Sequence, residues 1–283
     1  QGHQIGGRSL TWGGITLRLS DEDFSGLNTG EDINAWPIAL SDLADHYDAL
    51  EHELGIRAGQ DQIPHLPDGK GLEPLPFTRA EERFADNVHA QLGYDVIHSR
   101  GFAPHNFEQD GAWPRSSSRG SSLKQALSSG LVNLLSDHKV ERLMIAPSGS
   151  HASGVVAVDQ SDGSRKEFKA THVVLCGSTI QSVTILLRSM QHGLRDVSGR
   201  LGQRLMDHVS TSQFFAMPGE SNTPQPALSG AGSFFIPFGR HLHNADFLGG
   251  YGLWGGIGRF DPPELVKRQR NSSTGFLIGH GEV

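Results

Sequence analysis

The chain has 283 residues, enough for one large domain or two smaller ones with hydrophobic cores. Its 36% of hydrophobic residues excludes a disordered chain, and its net charge of −7 argues against nucleic-acid binding, which needs a basic face. A single cysteine, Cys176, excludes an internal disulfide, and no run approaches the ~20 apolar residues of a membrane span. Because the chain begins at Gln1 without a signal-peptide pattern, we expect a truncated or incomplete product, and its localisation is not indicated.

The first half of the chain predicts a glycine-rich loop, a short strand and two helices. The loop is residues 6–14, and the alternating pattern of residues 15–19 favours a strand. A helix is predicted from the N-cap Ser41 to Gly55, followed by a proline-rich surface loop over residues 56–77.

A second helix begins with the capping box of residues 78–81 and ends at Gly93. After it, residues 94–97 favour a short strand, and residues 123–127 a brief helix.

The second half predicts short strands and one strand–turn–helix unit. Residues 140–145, 155–158 and 173–176 have the apolar composition of strands, and residues 180–189 form an amphipathic helix. No clear helix follows until residues 262–270.

Several other site patterns are weak. Gly250 to Gly255 spell G-x-G-x-x-G, but glycines and prolines follow where a helix would have to begin, so we interpret the segment as a glycine-rich strand or turn. The pair His241 and His243 lacks a third ligand, and no metal site is predicted. No Gly-x-Ser-x-Gly elbow follows a strand, and Cys176 is expected to be buried and inert.

Residues 6–14 are the best candidate for a ligand-binding loop. Four glycines, Arg8 and Trp12 fall within nine residues. Bare backbone can approach a flat charged ligand, an arginine can neutralise phosphate, and an indole can face an aromatic ring. An ordinary glycine-rich turn is an equally good interpretation of this segment alone.

The pattern Gly-Gly-x-Ser-x-x-Trp followed by Gly-Gly resembles the flavin-contacting loop of the glucose–methanol–choline (GMC) oxidoreductases. The similarity is greatest to the branch of gluconate dehydrogenase flavoprotein subunits and pyranose oxidases. Five further segments resemble motifs of that family in the same order: residues 34–55, 67–69, 172–189, 199–208 and 249–252.

The resemblance implies non-covalent contacts with FAD. Residues at its pyrophosphate and ribityl side would be Gly6, Gly7, Arg8 and Ser9. Trp12 and Gly13 would lie near the isoalloxazine ring, Val140 at adenine, and Cys176 and Gly177 near the adenosine moiety.

Thr11 stands where some members carry the histidine that bonds covalently to flavin, so covalent attachment is not expected. Asp207 and His208 are expected to be structural, since the family pattern does not make them the catalytic pair.

The chain also departs from the family pattern. A βαβ unit with a phosphate-binding loop normally precedes the flavin loop, whereas five residues precede Gly6 here. The catalytic histidine and its partner belong to a later segment, so the catalytic residues are unknown from this chain. Residues 115–120 replace a cysteine-rich stretch.

Together these observations predict an α/β fold: an incomplete FAD-binding domain of the glutathione-reductase type with a mixed-sheet substrate domain. Residues 1–20 and 131–208 are assigned to the first, and residues 21–130 and 209–283 to the second. The predicted activity is FAD-dependent oxidation of the CH–OH group of a sugar, polyol or related alcohol, with hydride transfer to flavin N5. The electron acceptor is unknown, and neither nucleic acid nor a membrane span is expected. A non-catalytic binding or scaffold module and an inactive relic of the fold remain alternatives.

Overall fold

The computed structural model describes residues 3–25, 35–203, 205, 207–219, 232–237, 251–259 and 272–282. They fall into two compact units, the first formed by Gln1–Gly130 with Asp207–Val283 and the second by Leu131–Met206. Both units combine helices with sheets, which confirms the predicted mixed α/β class. The glutathione-reductase type and the assignment of residues to two domains stay predictions. Across the described residues, no helix is long and apolar enough to cross a membrane.

The helices and strands are as follows. A 3-10 turn occupies Gly7–Leu10, and the α-helices are α1 Asp21–Ser25, α2 Leu40–Leu54, α3 Arg79–Leu92, α4 Phe107–Asp110, α5 Ser122–Ser128 and α6 Thr179–Met190. The strands are β1 Ile56–Arg57, β2 Ile97–His98, β3 Gly101–Phe102, β4 His138–Ile145, β5 Ala152–Asp159, β6 Arg165–Lys169, β7 His208–Pro218, β8 Phe234–Pro237, β9 Tyr251–Ile257 and β10 Ser272–Glu282.

Helix α2 begins two residues earlier than the predicted N-cap implies. Ala39 is the N-cap, and its amide donates to Oδ2 of Asp42 over 2.8 Å. The predicted N-cap Ser41 is therefore wrong. The carboxylate of Asp42 accepts a hydrogen bond from the amide at the start of the helix, and no side-chain hydroxyl serves as the cap. The predicted end at Gly55 is confirmed, with φ of 68° in the left-handed region that glycine tolerates.

Helix α3 begins at the predicted capping box. The amide of Glu81 donates to Oγ1 of Thr78 over 3.2 Å, and the amide of Thr78 donates to Oε2 of Glu81 over 2.8 Å. Glu81 is fully buried, and the same carboxylate forms an ion pair with Arg259, two residues after the end of β9. One side chain thus caps the helix and ties it to the sheet.

The largest sheet of the first unit is antiparallel, in the order β2-β8-β9-β10-β7. Successive side chains in a strand point to opposite faces, so Phe234 and Phe235 lie on different sides. Phe234 packs with Val88 of α3 in the main core, and Phe235 packs with Leu66 and Trp254 in a smaller one.

Glycines in β9 make room for aromatic rings from β8. A Cβ at Gly252 would lie 2.5 Å from Cε2 of Phe235, and one at Gly255 would overlap the ring of Phe234. The interpretation of this segment as a glycine-rich strand is confirmed from Tyr251 onward; Gly250 lies outside the described residues. So do His241, His243 and the predicted helix at residues 262–270.

Two predictions near the start of the first unit are wrong. Residues 15–19 do not form a strand, since only Ile15 pairs, in an isolated bridge to Gly101. The loop at residues 56–77 is not wholly at the surface, because Ala58 and Leu66 are buried. Arg100 stabilises this loop through ion pairs with two of its carboxylates, each at 2.8 Å.

The second unit pairs β4, β5 and β6 in an antiparallel sheet, confirming two predicted strands. Helix α6 is bonded to this sheet through Ser189, whose Oγ accepts from the amide of Leu143 over 2.8 Å and donates to the carbonyl of Ile185. The predicted strand at residues 173–176 is wrong. No described strand pairs with it, and Val174 is 82% exposed.

Candidate functional site

The predicted flavin loop forms a tight turn that is bonded to a distant part of the first unit. Gly6 and Gly7 have φ of 99° and 51°, which glycine adopts at little cost. Oγ of Ser9 donates to the carbonyl of Gly6 over 2.6 Å and accepts from the amide of Ser118 over 3.0 Å. These bonds fix the loop's conformation.

The exposed groups of this loop suit a flat, anionic ligand. Trp12 is 45% exposed, and its Nε1 donates to the carbonyl of Ser116 over 2.7 Å. Its ring also meets Phe102 edge to face, at 5.7 Å between centroids, so the indole is held in place. Arg8 and Gly13 are exposed as well. A guanidinium, an indole and bare backbone therefore face outward along one short segment.

The other predicted FAD contacts lie in the second unit. Val140 is half-buried in β4, while Cys176 and Gly177 are exposed. The expectation that Cys176 is buried is wrong, because its segment does not join a sheet. Gly177 precedes Ser178, the N-cap of α6, whose φ of 68° is unusual for a residue with a side chain. The roles of these residues at FAD stay predictions.

A cavity of about 440 Å³ lies in the first unit, next to the loop in sequence. One wall comes from residues 15–20, which directly follow the predicted flavin loop, and the opposite wall comes from the five-stranded sheet. A volume of this order is typical of sites for small organic ligands, roughly 300–1,000 Å³.

The sheet wall carries two histidines and two aromatic rings on one face. His280 of β10 pairs with Ser210 of β7, so His208, two residues before Ser210, projects on the same side. The two imidazole rings are 5.6 Å apart between centroids. Trp254 meets His280 edge to face at 5.2 Å and stacks on Phe235 at 4.6 Å.

Two polar groups on the sheet wall of this cavity suit a ligand that can both donate and accept hydrogen bonds. Burial lowers the pKa of His280, and the nearby His208 adds to that effect, so His280 is neutral near pH 7 and can accept a proton or hydrogen bond. Nε1 of Trp254 is buried and has no hydrogen-bond partner among the described residues. It is a donor for which a ligand oxygen would be a suitable acceptor.

The one arginine of the cavity wall is already neutralised. Nε of Arg18 donates to Glu51 over 2.8 Å, and Nη2 donates to Glu51 and Asp48, each over 2.6 Å. The hydrogen bond to Glu51 is the main reason that the pKa of Arg18 is raised above its usual value. Arg18 therefore holds the wall in place and offers little charge to an anion. Within the described part of the chain, no cluster of three side chains suits a metal ion.

Sequence reasoning missed this cavity. His208 was expected to be only structural, and His280 and Trp254 were not singled out. They come together through the register of β7, β9 and β10, which joins positions far apart in the chain. The alternation of side chains within each strand is visible in the sequence, but the register between strands is not.

Comparison with known proteins identifies the class. A family model described as GMC oxidoreductase matches residues 1–210. Since this is more than half of the chain, the chain belongs to the GMC oxidoreductase family. The predicted family is thus confirmed, whereas the gluconate dehydrogenase and pyranose oxidase branch stays a prediction.

The chain is similar to the 2-methyl-1,2-propanediol dehydrogenase of Mycolicibacterium austroafricanum. The two are 27% identical over 230 residues, which cover 73% of this chain and 41% of that relative. The chain therefore spans less than half the length of this relative.

Proposed function

We propose that this chain belongs to an FAD-dependent oxidoreductase that acts on a CH–OH group, and that it contributes the flavin-contacting loop and an alcohol-binding cavity. The observation that carries the proposal is the family match over residues 1–210, which includes the loop, the first cavity wall and His208. The dehydrogenase name of the similar protein supports the same class of reaction.

The loop has the groups that a non-covalent flavin site needs. Exposed Arg8 would neutralise the pyrophosphate with Gly6, Gly7 and Ser9 beside it, while Trp12 and Gly13 would adjoin the ring system. Thr11 has no nucleophilic ring nitrogen, and its hydroxyl donates to the carbonyl of Arg8 over 3.3 Å. The family resemblance also assigns Val140, Cys176 and Gly177 to the adenosine end.

When bound, FAD would supply the acceptor for the hydride of the alcohol carbon, at N5. The chain's own residues would bind and orient the alcohol. Neutral His280 can accept a hydrogen bond from the substrate hydroxyl at its unprotonated ring nitrogen, and Nε1 of Trp254 can donate to an oxygen of the same molecule. Phe235 and the apolar side chains Ile15 and Leu17 would exclude water around it.

A sugar, a polyol or a related alcohol is the proposed substrate class. The wall is a mixture of rings and aliphatic side chains with a few polar atoms, which suits an alcohol that carries apolar carbon beside its hydroxyls. The similar protein is named for a branched diol of that kind.

Flavin binding is tested by titrating the purified chain with FAD and recording flavin fluorescence and the yellow absorbance band. We expect saturable binding that Trp12→Ala weakens by about tenfold or more, since an aromatic contact and its packing are lost. Trp36→Ala is the matched control, because Trp36 is 66% exposed and lies outside the loop. Urea unfolding of both variants checks that they are folded.

Two outcomes would contradict the flavin proposal. One is a folded chain that stays colourless after FAD is added and removed by gel filtration. The other is an equal loss of affinity in the two tryptophan variants. Flavin that stays with the protein after acid precipitation would contradict non-covalent attachment.

The cavity is tested under anaerobic conditions: alcohols are added to the FAD-loaded chain, and bleaching of the yellow flavin absorbance band is followed. We expect 2-methyl-1,2-propanediol or a polyol to bleach it, and His280→Asn to slow bleaching at least ~100-fold, the lower end of the range for a lost acid–base contact. Bleaching that is unchanged in His280→Asn would remove His280 from the proposal.

A further inference from the structure

A second cavity in the first unit, of about 650 Å³, is unrelated to the flavin loop. It lies where the start of α3 meets β1 and the residues around α4. Its polar lining side chains are Arg57, Thr78, Arg79, Asn106, Gln109 and Arg259. Among the described residues that line it, none is an aspartate or glutamate. It shares no lining residue with the cavity of His280.

Arg57 presents an unused edge of its guanidinium group. Nη1 donates to the carbonyl of Glu73 over 2.6 Å, while Nε is buried and has no hydrogen-bond partner among the described residues. The backbone of Arg57 is fixed by pairing with Gly101 and by a bridge to Leu72. A buried N–H without an acceptor is costly, and the Nε edge of a fixed guanidinium matches the spacing of two oxyanion oxygens.

The start of α3 adds positive charge to the same cavity. Arg79 is the first residue of this 14-residue helix; it is exposed and forms no ion pair with a described residue. Its charge adds to the positive end of the helix dipole. Arg259 contributes less, because Glu81 already neutralises it at 2.6 Å.

Two neutral side chains add hydrogen-bond donors to the lining. Oδ1 of Asn106 accepts from the amides of Glu108 and Gln109 and so caps α4, which leaves the side-chain NH₂ of Asn106 available as a donor. The side chain of Gln109 makes no hydrogen bond with a described residue. Charged and neutral donors thus line this volume together with apolar residues, and no described acidic side chain lies in its wall.

We propose that this cavity binds a small oxyanion, a carboxylate or phosphate group carried by a small molecule, with the Nε edge of Arg57 as its main contact and Arg79 as the second. The site does not depend on bound FAD or on the proposed oxidation. Its volume exceeds that of a single phosphate ion, so the anionic group would be part of a larger molecule.

The probes are inorganic phosphate and citrate, titrated into the FAD-free chain by isothermal calorimetry at low salt. We expect saturable binding with a dissociation constant of roughly 1 mM for the tighter probe. The probe that binds more tightly identifies the group, phosphate or carboxylate. Binding should weaken as sodium chloride is raised, because the contact is between charges.

Variants distinguish specific binding at this cavity from non-specific attraction of anions to positive charge. Arg57→Lys keeps the charge but loses the planar edge, and we expect it to weaken binding about tenfold. Arg79→Gln should weaken it by roughly threefold, the effect of one exposed charge near a helix start. Arg83→Gln is the matched control: it removes the same charge from the same helix, outside the cavity, and should leave affinity within about a factor of two.

Three results would overturn the proposal: no saturable binding of either probe, unchanged binding in folded Arg57→Lys, or equal weakening in Arg79→Gln and Arg83→Gln. Urea unfolding of each variant checks that it is folded. Since these titrations use no flavin, their failure would leave the FAD proposal standing, and failure to bind FAD would leave the oxyanion site standing.

Discussion

Replacing Glu81 with glutamine keeps the size of the side chain and removes its charge. In the folded chain, Nε of Arg259 donates to Oε1 of Glu81 over 3.0 Å and Nη2 donates to Oε2 over 2.6 Å. Oε1 also accepts from the amide of Ile257 over 3.0 Å and from the hydroxyl of Ser233. A glutamine NH₂ would face some of these donors, and the buried guanidinium would lose its counter-charge.

The expected loss is about 3–5 kcal/mol of unfolding free energy, the range for removing one partner of a buried ion pair. Arg259 is 8% exposed and Glu81 is 0% exposed, so water cannot readily replace the lost contacts. With a urea dependence of about 2 kcal/mol per M, the midpoint should fall by roughly 2 M.

Urea unfolding followed by tryptophan fluorescence measures this loss in the first unit, which contains all four tryptophans of the chain. Glu82→Gln is the control, because Glu82 is the next residue of the same helix and is exposed; it should stay within about 0.5 kcal/mol of the parent. A loss below about 1 kcal/mol for Glu81→Gln, or an equal loss for Glu82→Gln, would refute the argument that this ion pair ties α3 to the sheet.

The same pair predicts a pH dependence. Burial is the largest influence on the Glu81 carboxyl and alone would raise its pKa. The hydrogen bonds from Arg259, Ser233 and two backbone amides together outweigh burial and hold the pKa below its usual value of 4.5. The contribution of a group with a lowered folded-state pKa is present above pH 4.5 and lost as the pH falls through that lowered value. The stability difference between parent and Glu81→Gln should therefore shrink below pH 4.5.

Three further predictions follow from the sheet and from α3. Gly252→Ala should lower the free energy of unfolding by roughly 1–3 kcal/mol, because its Cβ would lie 2.5 Å from the Phe235 ring. Gly281→Ala, whose Cβ would lie 4.0 Å from Tyr251, should be nearly neutral in urea unfolding, and equal losses in the two variants would contradict this. The His280 C2–H resonance, identified by its loss in His280→Asn, should titrate by NMR below the usual pKa of 6.5, and a midpoint at or above 6.5 would contradict the burial argument. Thr78→Ala should lower the free energy of unfolding by about 0.5–2 kcal/mol, because the N-cap hydroxyl is lost, and Thr78→Ser should lower it much less. Equal losses in the two variants would exclude the capping role.

Local signals in the sequence predicted local structure well. The capping box at Thr78 and the terminal glycines Gly55 and Gly93 gave the correct limits for α3 and the correct end for α2. These signals depend on hydrogen bonds between residues three or four positions apart. They can therefore be recognised in the local sequence, whatever the tertiary fold. Ser41 failed as a cap because Asp42 supplied a competing acceptor one residue later.

Features that depend on distant partners were not predictable. Residues 15–19 and 173–176 have the composition of strands, yet a strand also needs a neighbour with matching hydrogen-bond positions. The histidine pair of the cavity needs the register of two strands, β7 and β10, that are far apart in the sequence. The family resemblance predicted the flavin loop, because that motif is contiguous, but it gave no indication of this cavity.

The contacts that hold Trp12 also determine which substitutions and chemical modifications the flavin loop tolerates. The carbonyl of Ser116 and the amide of Ser118 hold the loop, in a segment where the family pattern places cysteines. The contact at Ser116 is made by the main chain alone, so a side-chain change there should be tolerated, whereas loss of the hydroxyl of Ser9, which bonds to both the amide and the hydroxyl of Ser118, should not. The only thiol of the chain is Cys176, in the other unit. Oxidants and alkylating agents that act on cysteine should therefore leave the position of the Trp12 indole unchanged.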